Sequence, residues 1–496
     1  MFKLWKKPLN FLIAIAVIIM MISTALITGC EVVSEDTATE ATAAEDTAAQ
    51  DTTAESTAAE TSEPSSVNVA AALGWVTTDG ILPGIKEELA KENITVNILG
   101  SDQTALRNKE TIAATEKTGE FDIYLAWEAI MPQLKDDCEP LDQYLIDAGV
   151  DLDAFKASLY PSVLEMITYD GQIYWLPIHV NAQLGYARQD IFTNPDEVSA
   201  FESQYGYALP QPDANGAIVF EDREQFMDVA RFFTRPDEDF WGFTYPGQNV
   251  WLTCIFIEYL LRTGLEAFYA DGHCLWGPAH PENQVQVEEI VTWLQDMVVK
   301  DKVCTPGNVD MGMTEVNEFY KEGKAAMAFS WLVDFWNQDT TPEVMENWNN
   351  TKPATWAIDF VNTKPEYKGF MSLWCFGLSK EAQDKEAAVK FLLKAADVEL
   401  RKQAQAAGLT CTNGNIELTE WSVANGYSPG AYGIALQTEG TLWPVSKNSW
   451  PETETVYFTI LSEMSGDLMT GKITPAEFVK NSGDAIEQLM KDAGYF

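Results

Sequence analysis

Residues 168–192, TYDGQIYWLPIHVNAQLGYARQDIF, constrain the fold more than any other stretch of the chain. Tyr169-Asp170-Gly171-Gln172 reads as a tight turn, because Asp-Gly tolerates the positive φ that a close reversal needs. Residues 173–176 are apolar and aromatic, as in a buried strand. Pro177 has no N–H to give a ladder, so a central strand is not expected to run through it unbroken. Residues 180–187 then alternate polar and apolar, as in a second strand, and the polar members Asn181 and Gln183 carry amides suited to hydroxyl groups. Two strand-like runs separated by a proline describe a chain crossing between two bodies, with a hinge and a ligand beside it.

Length agrees with that division, since 496 residues exceed what one ordinary core holds. The elements predicted on either side are those of an α/β protein. Strands at 66–72, 94–99 and 121–126 are separated by helices at 81–91 and 107–117, which implies a parallel sheet with ligands at its carboxyl edge. A loop is expected over 74–80, helical spacing over 141–163, a loop-rich stretch over 192–220 and a helix over 223–233. An aromatic loop follows over 241–251, then helices over 252–263 and 285–299. Residues 319–331 read as a helix end, a break at Gly323 and a short strand. Further strands are expected at 355–360 and 369–378, and a helix at 385–396. Thr474-Pro475-Ala476-Glu477 is a capping box opening a helix to 490.

The amino-terminal end reads as a targeting segment. Lys3, Lys6 and Lys7 precede an apolar run over 11–22, short of the roughly 20 residues of a membrane span. Ile27-Thr28-Gly29-Cys30 looks like a bacterial lipobox, so residues 1–29 are expected to be a lipoprotein signal peptide and Cys30 the lipidated residue. Its two diacylglyceryl chains suffice for stable anchoring. Residues 30–66 are almost entirely Ala, Thr, Ser, Glu and Asp, too polar to fold, and form a disordered tether. With 75 acidic against 32 basic residues the net charge is −43, which argues against nucleic acid as a partner and disfavours a polyanionic ligand. Cys138, Cys254, Cys274, Cys304, Cys375 and Cys411 include no CxxC pair. Cys375 and Cys411 are either paired or buried as free thiols. No cofactor and no metal site is expected, and GxSxG and Walker A motifs are absent.

Four segments carry a resemblance that covers most of residues 67–496. They are Gly119-Glu-Phe-Asp-Ile-Tyr, then Tyr169-Asp-Gly-Gln-Ile-Tyr-Trp-Leu-Pro with Tyr186 and Asp190-Ile-Phe, then Phe319-Tyr-Lys-Glu-Gly-Lys-Ala-Ala-Met, and Leu378-Ser-Lys with Lys385-Glu-Ala-Ala-Val-Lys-Phe-Leu. In this order and spacing the chain resembles the extracellular solute-binding proteins (family 1) of ABC importers, in the carbohydrate-binding group that includes maltose-binding proteins. Tyr186-Ala-Arg-Gln departs from that group's usual "YNKD", and Trp374-Cys375 stands where small residues are common.

The resemblance implies a two-lobe α/β fold of the type II periplasmic-binding-protein kind, with parallel-rich sheets, flanking helices and a three-segment hinge at 177–180, 370–374 and 408–414. The amino-terminal lobe would comprise 67–178 and 373–411, and the carboxy-terminal lobe 179–372 and 412–496. A monomer would capture a sugar, oligosaccharide or sugar alcohol by hinge closure. It would deliver the ligand to the permease's transmembrane subunits from the outer face of the bacterial cytoplasmic membrane. A cell-surface carbohydrate-active hydrolase and a polyamine-binding protein are the alternatives; aromatic boxes hold cations too.

Sugars present flat C–H faces, which aromatic rings cover, and hydroxyls, which amides and carboxylates take. Trp331 is expected to stack on ligand, as its place in the resemblance implies, and Trp331→Ala to abolish binding with little loss of stability. Trp75 and Trp127 end strands at the cleft edge, where each either meets ligand or seals the core. Trp443, Trp251 and Tyr245 are further aromatic candidates. Glu128 and Asp79 are candidate hydroxyl acceptors, against a solvated charge and a helix cap respectively. Asn181 stands where the family often has a ligand-binding polar residue. His179 shares its side of the strand and is expected to be structural, as is Trp374.

Overall fold

The computed structural model describes residues 65–73, 76–213, 217–265, 268–331, 351–356, 371–407, 413–425 and 452–496. Cys30, Trp75, Cys411 and Trp443 lie outside them, as do the signal segment and nearly all of the tether.

Val67, Val69 and Ala70 to Ala72 alternate or run apolar and are fully buried, so the chain opens with β1 (Ser65–Ala72) in the middle of a sheet. β2 (Ile94–Ser101) and β3 (Ile123–Trp127) flank it in parallel, connected by helices Val76–Ala90 and Gln103–Glu116. The expected loop over 74–80 is shorter than read, because helix begins already at Val76. Asp170 at φ 51° and Gly171 at φ 80° form the expected turn between β4 (Thr168–Tyr169) and β5 (Gln172–Ile173).

Pro177 does not break its strand. β6 (Trp175–Ala182) runs through it, because β6 is the edge of the sheet and can omit a donor there. Its register against β14 (Met371–Leu378) jumps from Trp374↔His179 to Cys375↔Pro177, leaving Ile178 as an extra residue. The Ile178 carbonyl, lost to the ladder, accepts from Nη1 of the buried Arg401 at 2.7 Å. The sheet order is β2-β1-β3-β14-β6, with β14 antiparallel to both neighbours, so it is mixed rather than all parallel.

One residue past β6 the chain is already in a second sheet. β7 (Leu184–Arg188) joins β8 (Ile218–Phe220), β9 (Trp241–Thr244), β12 (Ala325–Ser330) and β13 (Thr351–Trp356) in the order β8-β13-β7-β12-β9. Two-residue hairpin strands β10 (Tyr269–Ala270) and β11 (His273–Cys274) lie apart from it. The first crossing therefore falls at the fully buried Gln183, later than the 177–180 read from Pro177. Each sheet has its own apolar core. Helices Asn249–Arg262, Gln284–Val299 and Pro475–Asp492 cover the second, and helices Val76–Ala90 and Lys385–Ala396 the first.

Residues 413–425, expected in the second lobe, sit with the first sheet. Gly414, at φ 81°, lies so close to Val163 that a Cβ would approach its Cγ2 to 2.7 Å, and its carbonyl accepts from the Tyr160 N–H. The crossing expected at 408–414 is described only from 413 onward. The stretch 192–220 contains a full helix, Pro195–Tyr205, with Asn194 as its cap and Gly206 in the left-handed conformation at its end. Helix Pro475–Asp492 opens on the expected box: Glu477 N–H donates to Thr474 Oγ1, and Thr474 N–H to Glu477 Oε2. Thr474→Ala is expected to cost about 1 kcal/mol in denaturant unfolding, and a change under about 0.3 kcal/mol would contradict that role. No helix among the described residues is long and apolar enough to cross a membrane.

Candidate functional site

β1 and β3 pair only at Val69↔Ile123 and then diverge, so the carboxyl end of β3 stands open on the β1 side. Glu110, buried in helix Gln103–Glu116, takes the Leu125 N–H at 2.7 Å where no strand reaches it. Burial pushes its carboxyl well above the usual range. Past that point β3 delivers Trp127 and Glu128, each almost wholly buried.

Trp127 pairs in register with Trp374, their rings 5.0 Å apart, and the Phe458 ring meets Trp127 edge-on at 5.9 Å. Trp374, expected to be structural, is buried in the first core beside Trp127. Among the described residues Trp127 Nε1 is buried without a hydrogen-bond partner. Glu128 is 4% exposed, not a solvated surface charge. One of its oxygens accepts from Ser372 Oγ and from the Leu373 N–H, both at 3.0 Å, which ties the end of β3 to the start of β14. Burial lifts its pKa to about 7, against the lowering effect of these hydrogen bonds. Asn181 is in register with Ser372, so its backbone borders the same place; its side chain, like that of Asp79 in helix Val76–Ala90, lies outside the description. His179 is fully buried beside Trp374 in register, and burial followed by the Arg401 charge lowers its pKa to about 3, so it is neutral near pH 7.

The second core contributes its own aromatic pair. Trp251, in the first turn of helix Asn249–Arg262, meets Trp331, just past β12, edge-on at 5.7 Å. Trp331 is 3% exposed, in the core rather than on open surface. One turn along that helix from Trp251, Cys254 is hydrogen-bonded to the Tyr457 hydroxyl. Burial raises the Cys254 thiol pKa, against the lowering effect of the Tyr457 hydrogen bond. Trp127 of the first core thus meets Phe458, which neighbours Tyr457 and through it Cys254 of the second core, while Trp251 and Trp331 pack within the second core.

Tyr245 does not join them. It is fully enclosed, stacked on Phe243 at 5.7 Å, and its hydroxyl donates to the Leu294 carbonyl at 2.6 Å. The aromatic stretch 241–251 read as a loop because glycine and proline punctuate it, yet its first four residues are the buried β9. Tyr457, Phe458, Cys254 and Ser372 were not singled out from the sequence. No motif marks them, and only the fold brings them to Trp127 and Glu128.

The sequence profile of the family described as bacterial extracellular solute-binding protein matches residues 74–396. Solved structures share the fold at low identity. Maltose-bound MalE3 of T. maritima is 15% identical, with a TM-score of 0.65 over 86% of this chain and 99% of that one. A solute-binding protein of an ABC transporter from Agrobacterium radiobacter K84, in complex with ribitol, is 16% identical, with a TM-score of 0.66 over 86% and 98%. One from Agrobacterium vitis S4, with bound D-mannitol, is 17% identical, with a TM-score of 0.65 over 87% and 99%. Two mixed sheets flanked by helices, and these neighbours, give the type II periplasmic-binding-protein fold. The profile covers well over half of the sequence, and the chain belongs to the bacterial extracellular solute-binding protein family.

Proposed function

We propose that this chain is a lipid-anchored receptor of an ABC importer that takes a sugar, oligosaccharide or sugar alcohol between two lobes and hands it to the permease. Two aromatic pairs support this reading, Trp127 with Trp374 in the first core and Trp251 with Trp331 in the second. Flat rings suit the C–H faces of a carbohydrate, and Trp127 Nε1 offers a donor to a hydroxyl. Maltose, ribitol and D-mannitol in structures of the same fold support the ligand class. The first lobe consists of the first sheet with residues 371–407 and 413–425, and the second of the second sheet with its helices. Asn181 lies on the cleft floor beside Ser372, and Trp75, Asp79 and Trp443 are further contacts. Cys30 is the anchor and the acidic tether is its spacer.

Calorimetry of the chain against monosaccharides, maltodextrins, sugar alcohols and polyamines tests the ligand class. Saturable heat with a sugar or polyol and none with polyamines is expected. Heat with polyamines alone would sink the carbohydrate reading. Appearance of cleaved sugar in the same samples would make the chain a hydrolase instead.

A further inference from the structure

Residues 452–461 belong to the second core and also reach the first. The short helix Thr453–Thr455 leads into Val456–Leu461, six residues wound in wide π turns, a conformation rare outside functional positions. The wide turns present consecutive side chains to different partners. Val456 and Leu461 are fully buried in the second core. Tyr457 binds Cys254 of that core. Phe458, among the described residues, is the one partly buried hydrophobic side chain that packs against both cores.

Phe458 is held from the first side by two groups. Trp127 meets its ring edge-on at 5.9 Å, and the Arg107 guanidinium carbon lies 5.3 Å from its centroid. Arg107, in helix Gln103–Glu116 of the first body, also forms an ion pair with Glu454, one turn before Phe458. Both side chains are about one-fifth exposed, so water screens the pair less than it would at an open surface. One arginine thus grips a carboxylate and a ring from the same element of the other body. An aromatic contact, a cation over a ring and an ion pair coincide at one point of the seam.

We propose that residues 454–458 are a latch between the lobes, in which Arg107 clasps Glu454 and Phe458 and holds the closed arrangement populated before ligand arrives. The proposal rests on the two-lobe receptor reading, but its direct consequence needs no ligand. A ligand binding only the closed form has its apparent affinity reduced by the fraction of chains that are open. By raising the closed fraction, the latch tightens binding without touching the ligand. Its strength depends on charge, so it weakens with salt, whereas the Trp127–Phe458 contact does not.

The test reads the distance between spin labels at Ile112→Cys and Val285→Cys by pulsed electron resonance in the full chain. These positions are 60% and 65% exposed, one on a helix of each body. Cys30 and Cys411 are replaced by serine, and the five described native cysteines are buried and escape labelling. Without ligand, Arg107→Glu and Glu454→Arg are each expected to shift the distribution to longer distances, and the double charge swap to restore it. Arg107→Gln, which removes charge with less risk to folding, should give a smaller shift in the same direction. Titration with D-mannitol and maltose should show each single reversal weakening binding about tenfold and the swap recovering it. Unchanged distances in the singles, or a swap that recovers nothing, would overturn the latch. If no sugar or polyol of the calorimetric panel binds the parent chain, the carbohydrate reading fails, and the distance result still decides the latch.

Discussion

Replacing Trp331 by alanine is expected to remove measurable sugar binding and also to lower stability by about 3 kcal/mol or more, a drop in Tm on the order of 5–10 °C. The second half of that expectation comes from the structure. Trp331 is 3% exposed and sits in the second core against Trp251, so alanine leaves a cavity where the indole was. The ring packs in the second core, and a second variant separates that packing from the proposed ligand contact. Trp331→Phe keeps most of the buried apolar volume and should recover most of the Tm while leaving a smaller stacking face, so affinity should stay reduced. Calorimetry and thermal unfolding of both variants decide it. Affinity within twofold of the parent in Trp331→Ala would take Trp331 out of the ligand site.

Glu128 should make the protein less stable as pH rises. Its folded pKa, about 7, lies above the ordinary carboxylate value of 4.5 because burial disfavours the charge. The folded chain therefore holds a proton that the unfolded chain releases. This contribution is fully present below about pH 4.5, declines as pH rises through about 7, and is level above that. A rise of about 2.5 pH units corresponds to roughly 3 kcal/mol. Glu128→Gln keeps an oxygen for Ser372 and the Leu373 N–H and has no charge to bury. Its stability relative to the parent should therefore grow by about that amount between pH 4.5 and 8.5 in denaturant titrations. Glu110 and the other buried carboxyls cancel in the difference between the two chains. Parallel pH profiles would show that Glu128 is ionised without penalty.

Local chemistry was legible and long-range partnership was not. Helix Lys385–Ala396 begins and ends where the sequence placed it, because Asp384 caps Ala387 and the apolar spacing is unbroken. The Asp170-Gly171 turn needed only its own two residues. Pro177 misled because its effect depends on whether its strand is central or at an edge, and strand order is a property of the whole sheet. Residues 192–220 read as loop although Asn194-Pro195 is a helix-start signal, and the surrounding prolines outweighed it. Trp127 stood out as an aromatic ending a strand, Trp331 by its place in the resemblance, and Trp251 as part of an aromatic loop. Glu128 looked like a hydroxyl acceptor because its partners, Ser372 and Leu373, lie 244 and 245 residues further along the chain. The Ile178 carbonyl finds Arg401 across 223 residues in the same way. Arg107, Glu454 and Phe458 are unremarkable as letters, and only the meeting of two bodies sets them together.

The five described cysteines are all free, and all are buried. Burial raises every one of their thiols, Cys274 to about 12 and the others well above the ordinary value. Thiolate, the species that attacks a disulfide or a peroxide, is then scarce at neutral pH. This part of the chain can reach its native state without an oxidoreductase to choose partners for it. Reductants and mild oxidants should leave its unfolding midpoint where it was, so a binding assay on it can be run in either.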